Sequence, residues 1–309
     1  MENGSNVLSF ILFACHMTFA YRVTSTLLLL LTYLMTLSGN ILIILLIWKS
    51  HHLHSPMYMF LTNISFLEIW FTSTVMPKLL SILAYENRAI STNGCLTQCY
   101  FYFCLGTAEL FLLTVMSFDR YVAVCYPLKY VNVMRTEFCL KLSLGCWIGG
   151  FAFNIVQTIL VADLPFCKSN IIDHFFCDVE PLLILACSDT SLIKIINLIS
   201  SAVVVFGSLV CIVISYLHII SAIFKVSTVK SRWKSFSTCV SHLVLVFIVY
   251  GSSLFLCLRK TTGSMDFSKL SAFLTGIVTP LLNPFVYTLR NNQVKEALKQ
   301  LLSGKTMTL

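Results

Sequence analysis

Charge is scarce in this sequence: 11% of its 309 residues are Asp, Glu, Lys or Arg, while 57% are hydrophobic and the mean hydropathy is +0.85. A soluble domain carries about 25% charged residues, and one core cannot hide so much apolar surface, so a water-soluble fold is excluded. Acidic residues are the scarcer sign, 13 against 21 basic ones. A cleavable leader is not expected, because Met1 to Ser9 has no basic residue and the first long apolar run outlasts a signal peptide's core. No internal repeat is found, which argues against the related halves of a secondary transporter. No cysteine follows Cys257, so the tail offers no palmitoyl anchor.

What the chain does have is long apolar runs. Seven of them, near residues 24–48, 57–83, 95–124, 138–162, 192–224, 236–258 and 270–289, can cross about 30 Å of hydrocarbon at about 1.5 Å per residue. Pro77 interrupts the second, and Pro280 and Pro284 the seventh; a membrane helix tolerates such kinks. An all-α bundle of seven transmembrane helices is therefore predicted, with residues 1–23 outside, 24–289 forming the bundle and 290–309 a cytoplasmic tail. Loop charge sets this orientation. Lys49, Lys129, Arg135, Lys225, Lys230, Arg232, Lys234, Arg290, Lys295 and Lys299 fall on the side assigned to the cytoplasm, opposed mainly by Glu137 and Glu296. The net charge of +8 thus reports orientation, and basic residues split among short loops exclude nucleic-acid binding.

Asn3-Gly4-Ser5 is a glycosylation sequon on the outer side, whereas Asn63-Ile64-Ser65 lies within a span and is expected to stay unmodified. Cys95, Cys167, Cys177 and Cys187 share the oxidising side, and sequence alone does not choose among their pairings. After the last span, Val294, Ala297, Leu298, Leu301 and Leu302 form one apolar stripe opposite Lys295 and Lys299. That pattern predicts a short helix lying on the inner membrane surface.

Ionisable groups inside a bilayer are costly and usually functional. Asp119-Arg120-Tyr121 stands at the end of an apolar run, at one rim of the hydrocarbon. Glu68 lies 12 residues from Pro56, and Glu109 lies 11 residues from Arg120. Both carboxyls are therefore roughly 16–18 Å deep, near the level of Asn40 and Asn283. They cannot both stay charged without a counter-charge, so either a cation such as sodium sits between them or at least one is protonated. The reading of these acids as part of a transporter or channel is the alternative, although two acids do not line a continuous path.

These residues add up to a resemblance. Gly39-Asn40, Leu53-His54-Ser55-Pro56-Met57-Tyr58, the string from Met116 through Asp119-Arg120-Tyr121 to Tyr130, Ser215-Tyr216, Lys234 to His242, and Pro280 to Asn291 look like the motifs of olfactory receptors. That family is a branch of the rhodopsin-like G-protein-coupled receptors, and the match, of the terrestrial-vertebrate type, covers almost the whole chain in order. The resemblance implies a plasma-membrane receptor that binds a small odorant and activates a stimulatory G protein to raise cyclic AMP. It implies disulfides joining Cys95 to Cys177 and Cys167 to Cys187. Arg120 would be released from Asp119 on activation to meet the G protein, with Tyr216, His242 and Tyr287 rearranging around it, and Tyr121, Asn283 and Pro284 would belong to the same activation and coupling set. Glu68 stands where the family more often has Asp, and Ser117-Phe118 replaces the usual Ala-Tyr, which removes a hydroxyl beside Asp119.

Counting outward from Arg120, Tyr102, Phe103, Gly106 and Thr107 share a face of the third helix. The family pocket would add Ser200, Ser201 and Val204, then Tyr250, Ser253, Leu254 and Cys257, then Phe273 and Gly276. Such a lining has hydroxyls but no carboxylate, so the expected ligand is small, neutral and hydrophobic, without a charged amine. No nucleophile–base pair or metal motif points to an enzyme, and no cofactor beyond the sodium ion is implied.

Overall fold

A computed structural model describes residues 8–13, 18–50, 53–167, 169–225, 239–240, 242–254, 265–290 and 292–302. Its helices are α1 (Phe19–Lys49), α2 (Pro56–Tyr85), α3 (Thr92–Cys125), a short α4 (Tyr130–Val133) and α5 (Thr136–Ala162). They continue as α6 (Val179–Leu185), α7 (Ser191–Lys225), α8 (His242–Leu254), α9 (Met265–Phe273), α10 (Thr279–Arg290) and α11 (Asn292–Leu302). α1, α2, α3, α5, α7 and the stretch Lys269–Val286 through α9 and α10 are each long and apolar enough to span a membrane. α8 is apolar but shorter, and the predicted sixth span runs past it into residues outside those described. With α8 the bundle has seven membrane helices.

The bundle inverts the distribution of a soluble protein. Leu27, Leu28 and Leu31 of α1 and Val203, Phe206, Val210 and Leu217 of α7 are exposed, whereas Asn40, Glu68, Asp119 and Asn283 are buried. Lipid accepts the leucines, and polar groups withdraw to where other helices satisfy them. Helix ends follow local chemistry. Ser91 caps α3 by accepting the Gly94 N–H at 3.1 Å, and Pro56 begins α2 where its missing N–H costs nothing. Between α9 and α10 a π-helical turn spans Leu274–Val278, and the Thr279 hydroxyl donates to the Leu274 carbonyl at 3.0 Å. This wider turn immediately precedes Pro280, whose ring clashes with regular helical pitch.

Small residues bring helices together where polar and aromatic groups must meet. A Cβ added to Gly150 would lie 2.8 Å from both the Ala108 Cβ and the Cys104 carbonyl, so α5 sits against α3 at this point only because glycine is there. Gly150→Leu is expected to lower stability by about 3 kcal/mol or more, the upper range for overpacking. Gly145→Leu, in open space within the same helix, is expected to be nearly neutral. Thermal unfolding of both variants in detergent checks this contrast.

The segment before the first span is ordered in a way its sequence did not suggest. β1 (Ser9–Leu12) pairs antiparallel with β2 (Ala89–Ser91) and parallel with β3 (Ile171–Ile172), with Phe10 opposite Ile90 and Ile11 opposite Ile171. Phe10 and Leu12 point the same way with period two and are fully buried, and Phe10 meets Phe166 edge-on at 5.2 Å. α1 also starts at Phe19, earlier than the predicted residue 24. At the far end, α11 buries Val294 and Ala297, leaves Lys299 exposed, and is tied to α2 by the Tyr58 hydroxyl donating to Gln293 Oε1 at 2.6 Å. Asn63 is engaged within the bundle: its amide nitrogen donates to the Met59 carbonyl at 2.9 Å, and its oxygen accepts the Trp147 indole N–H at 3.0 Å.

Candidate functional site

α3 carries functional groups at three levels. At its N-terminal end Cys95 is bonded to Cys177 with Cα atoms 5.4 Å apart, and Cys167 is bonded to Cys187 at 5.8 Å. Gln98 reinforces the first link by donating to the Thr74 carbonyl at 2.9 Å and accepting the Cys177 N–H at 3.0 Å. Phe176 is thereby held over Tyr102, ring centroids 4.4 Å apart. Tyr102 in turn stacks on Phe71 at 4.9 Å and places its hydroxyl 3.0 Å from Thr275.

Beside Tyr102 is a cavity of about 110 Å³ bounded by α2, α3, α5, α7, α8 and the π-helical turn. The structure brings Tyr102, Phe103, Gly106, Thr107, Ser200, Ser201, Val204 and Ser253 together around it. Tyr250, Leu254, Phe273 and Gly276 do not line it. Tyr250 is buried, with its hydroxyl directed 3.4 Å from the Leu110 carbonyl, and Leu254 packs against the core. Phe273 is 40% exposed, and Gly276 backs onto the Tyr102 ring, where an added Cβ would sit at 3.6 Å. Cys257 and Asn3 lie outside the described residues, as does the side chain of Tyr287.

The sequence reading missed the wall supplied by α5, Phe153, Asn154 and Gln157, and also Phe71, Val205, Val249 and Thr275. Asn154 and Gln157 left a usable signal: two amides three residues apart share one face of an otherwise apolar helix. One expectation is corrected outright. The lining does contain a carboxyl group, that of Glu109, because the cavity extends along α3 far enough to reach the mid-bundle acids.

At that second level Glu68 is fully buried and Glu109 is 5% exposed, and the two acids are neighbours. The Asn283 amide donates to Glu68 Oε1, joining α10 to α2. Asn40 donates to the carbonyls of Thr36 at 3.0 Å and Pro280 at 3.4 Å, while Gly39 lets Pro284 approach to within 3.0 Å of where a Cβ would be. Glu68 Oε2, Asn40 Oδ1, Asn283 Oδ1 and the Ser65 hydroxyl are buried without a hydrogen-bond partner among the described residues. An all-oxygen donor set of this kind suits a hard cation and offers nothing to a thiophilic metal.

The third level is the Arg120 end. Asp119 is fully buried and holds Arg120 through both Nε, at 3.0 Å, and Nη2. Phe118 is exposed, so a hydroxyl at that position would point away from the buried Asp119; the hydroxyl on the carboxylate comes from Tyr130 of α4, which donates to Asp119 Oδ1 at 2.8 Å. Burial first, and the Asp119 carboxylate second, push the Tyr130 phenol well above its ordinary range, so it remains a donor at any physiological pH. Tyr130→Phe is expected to remove one charge-assisted bond worth about 1.5–3 kcal/mol. The expected readout is a raised ligand-independent signal at unchanged surface level. Tyr121 turns away and meets Tyr126 and His218, each at 5.7 Å.

Tyr216 and His242 form a separate pair beside this lock. His242 Nε2 is 3.0 Å from the Leu113 carbonyl, which can only accept, so Nε2 carries hydrogen. In the neutral ring Nδ1 then accepts from the Tyr216 hydroxyl at 2.8 Å. α3, α7 and α8 are thus joined by side-chain hydrogen bonds at Leu113, about two helical turns before Arg120 along α3.

Comparison with known proteins agrees with this architecture. The family described as olfactory receptor matches residues 29–305. Human olfactory receptor 6X1 is 44% identical over 98% of this chain and 97% of its own length. Rat olfactory receptor 287 is 46% identical over 92% of each chain. Human olfactory receptor 6F1 is 42% identical over 99% of this chain and 100% of its own. A seven-helix membrane bundle, a match along nearly its full length and relatives of this identity lead to one conclusion: the chain belongs to the olfactory receptor family, which are membrane-spanning receptors and not enzymes.

Proposed function

We propose that this chain is a plasma-membrane odorant receptor with its N-terminus outside. In this reading it binds a small, neutral, hydrophobic volatile and activates a stimulatory G protein to raise cyclic AMP. The observation that carries the proposal is the cavity beside Tyr102 on α3, with the Asp119–Arg120 lock further along the same helix. About 110 Å³ is the scale of a cavity that holds one small ring, since an apolar cavity of about 150 Å³ binds benzene. Neutrality now rests on different ground from that in the sequence. A carboxyl group is present, but Glu109 lies beside Glu68, and a proton or a cation held between the two acids would neutralise them, so in this reading an amine would find no free carboxylate. Ligand binding that shifts α3 against α7 and α8 would reach Arg120 through a continuous helix, and the basic loop charges would face the G protein.

The deciding experiment is cyclic AMP in cells co-expressing the chain with a stimulatory G protein, with neutral volatiles screened beside amines and acids. A response to neutral volatiles supports the proposal. Responses confined to amines would show that Glu109 acts as a counter-ion and would overturn the neutral-ligand reading.

Sodium at Glu68 and Glu109 belongs to the same proposal, as an ion that favours the resting bundle. Glu68, Asn40, Asn283 and Ser65 would supply oxygens to it. Replacing sodium by choline in the medium is expected to shift ligand potency in the unmodified receptor and not in Glu68→Gln. Equal shifts in both would leave a shared proton as the account of the two acids. Glycosylation at Asn3 is likewise proposed, and loss of a glycosidase-sensitive mass shift in Asn3→Gln tests it.

A further inference from the structure

Helical threonines ordinarily return their hydroxyl hydrogen to the carbonyl four residues earlier. Thr62, Thr74, Thr114 and Thr158 all do so, at 2.8 to 3.0 Å. Thr107 does not. Asn154 of α5 reaches across with Nδ2 3.4 Å from the Phe103 carbonyl that Thr107 would use, 3.1 Å from Thr107 Oγ1 and 2.9 Å from the Gly150 carbonyl. Thr107 is therefore an acceptor from Asn154, and its own hydrogen has no acceptor among the described residues. One turn along α5, Gln157 is 9% exposed and its Nε2 is buried without an acceptor. Thr107 and Gln157 both line the cavity.

Across the cavity the polarity is reversed. Ser200 and Ser201 donate to the Asn197 carbonyl, at 3.2 and 2.7 Å, and Ser253 donates to Val249 at 2.7 Å. Their hydrogens are committed to backbone. Uncommitted donors thus gather on the α3–α5 wall, and a buried donor left unpaired is costly.

Resting on the reading that the odorant occupies this cavity, we infer that Thr107 and Gln157 form a subsite for a carbonyl oxygen, with Asn154 positioning the Thr107 hydroxyl. A carbonyl oxygen has two lone pairs and can accept from both groups. The ligand class is therefore ketones, aldehydes and esters in preference to hydrocarbons of the same shape.

The test uses isosteric pairs that differ only in C=O against C=CH₂: cyclohexanone and methylenecyclohexane, 2-heptanone and 2-methyl-1-heptene, acetophenone and α-methylstyrene. Potency is read as cyclic AMP at matched surface expression. Each ketone is expected to exceed its alkene by about 10-fold or more, the scale of satisfying a buried donor. Thr107→Val and Gln157→Leu are each expected to shrink that ratio by several-fold, and Thr107→Ser is expected to retain the ratio. Asn154→Ala is expected to lower the ratio as well, which a merely structural role would not do. Gly106→Leu, which fills the cavity, is expected to silence both members of every pair. Unchanged ketone potency in Gly106→Leu would overturn the cavity reading itself. If Gly106→Leu silences the receptor while Thr107→Val and Gln157→Leu weaken ketone and alkene alike, the cavity stands and the carbonyl subsite is wrong.

Discussion

Arg120→Ala is expected to abolish ligand-driven cyclic AMP, and Asp119→Asn to raise the signal without ligand. The two opposite outcomes follow from one geometry. Arg120 is held by two of its nitrogens on a fully buried carboxylate, which is itself held by Tyr130. Deleting the guanidinium removes the group proposed to meet the G protein and leaves Asp119 buried without its counter-charge, a loss of about 3–5 kcal/mol. Neutralising Asp119 weakens the hold while keeping the arginine, so the released arrangement gains population. The double variant Asp119→Asn/Arg120→Ala separates folding from signalling: it is expected to regain much of the surface expression lost in Arg120→Ala and none of the signal. Cell-surface staining beside cyclic AMP reads both quantities. A double variant that signals would show that Arg120 serves only to neutralise Asp119.

Cys95→Ser is expected to be the most damaging change at the other end of the bundle. The Cys95–Cys177 link closes 82 residues, for which the chain-entropy argument gives about 4.5 kcal/mol. The Cys167–Cys187 link closes 20 residues, corresponding to about 3 kcal/mol on the same argument. The first link also has a local consequence that the second lacks. It fixes the backbone next to Phe176, and that ring covers Tyr102. Cys95→Ser is therefore expected to lose both surface expression and ligand response, and Cys167→Ser to retain more of each. Surface level and midpoint of thermal unfolding in detergent measure the order. Equal damage from the two would mean that the loop acts as one unit, with no special role for the α3 link.

Seven spans, their order and the shared level of Glu68 and Glu109 were legible because hydrophobic length and a rise of about 1.5 Å per residue translate directly into position along the bundle. The Asp119–Arg120 pair was legible for the same reason: an ion pair at the end of an apolar run has few places to go. Lateral neighbours are a different matter. Asn154 and Gln157 became part of the cavity wall because Gly150 lets α5 approach α3 closely, and no periodicity within α5 states which helix it will face. Tyr250 and Phe273 show the converse, since a helix rotation that depth cannot specify turned one into the core and the other outward. Tyr130 reaches the Asp119 carboxylate only because α4 folds back beneath it. The sequence by itself determined the class of molecule, its spans and the level of its charges along them, which depend on transfer of side chains between water and lipid. Tertiary structure alone decided the helix rotations and close approaches that made a donor-lined cavity from scattered polar residues, because those depend on how neighbouring surfaces pack.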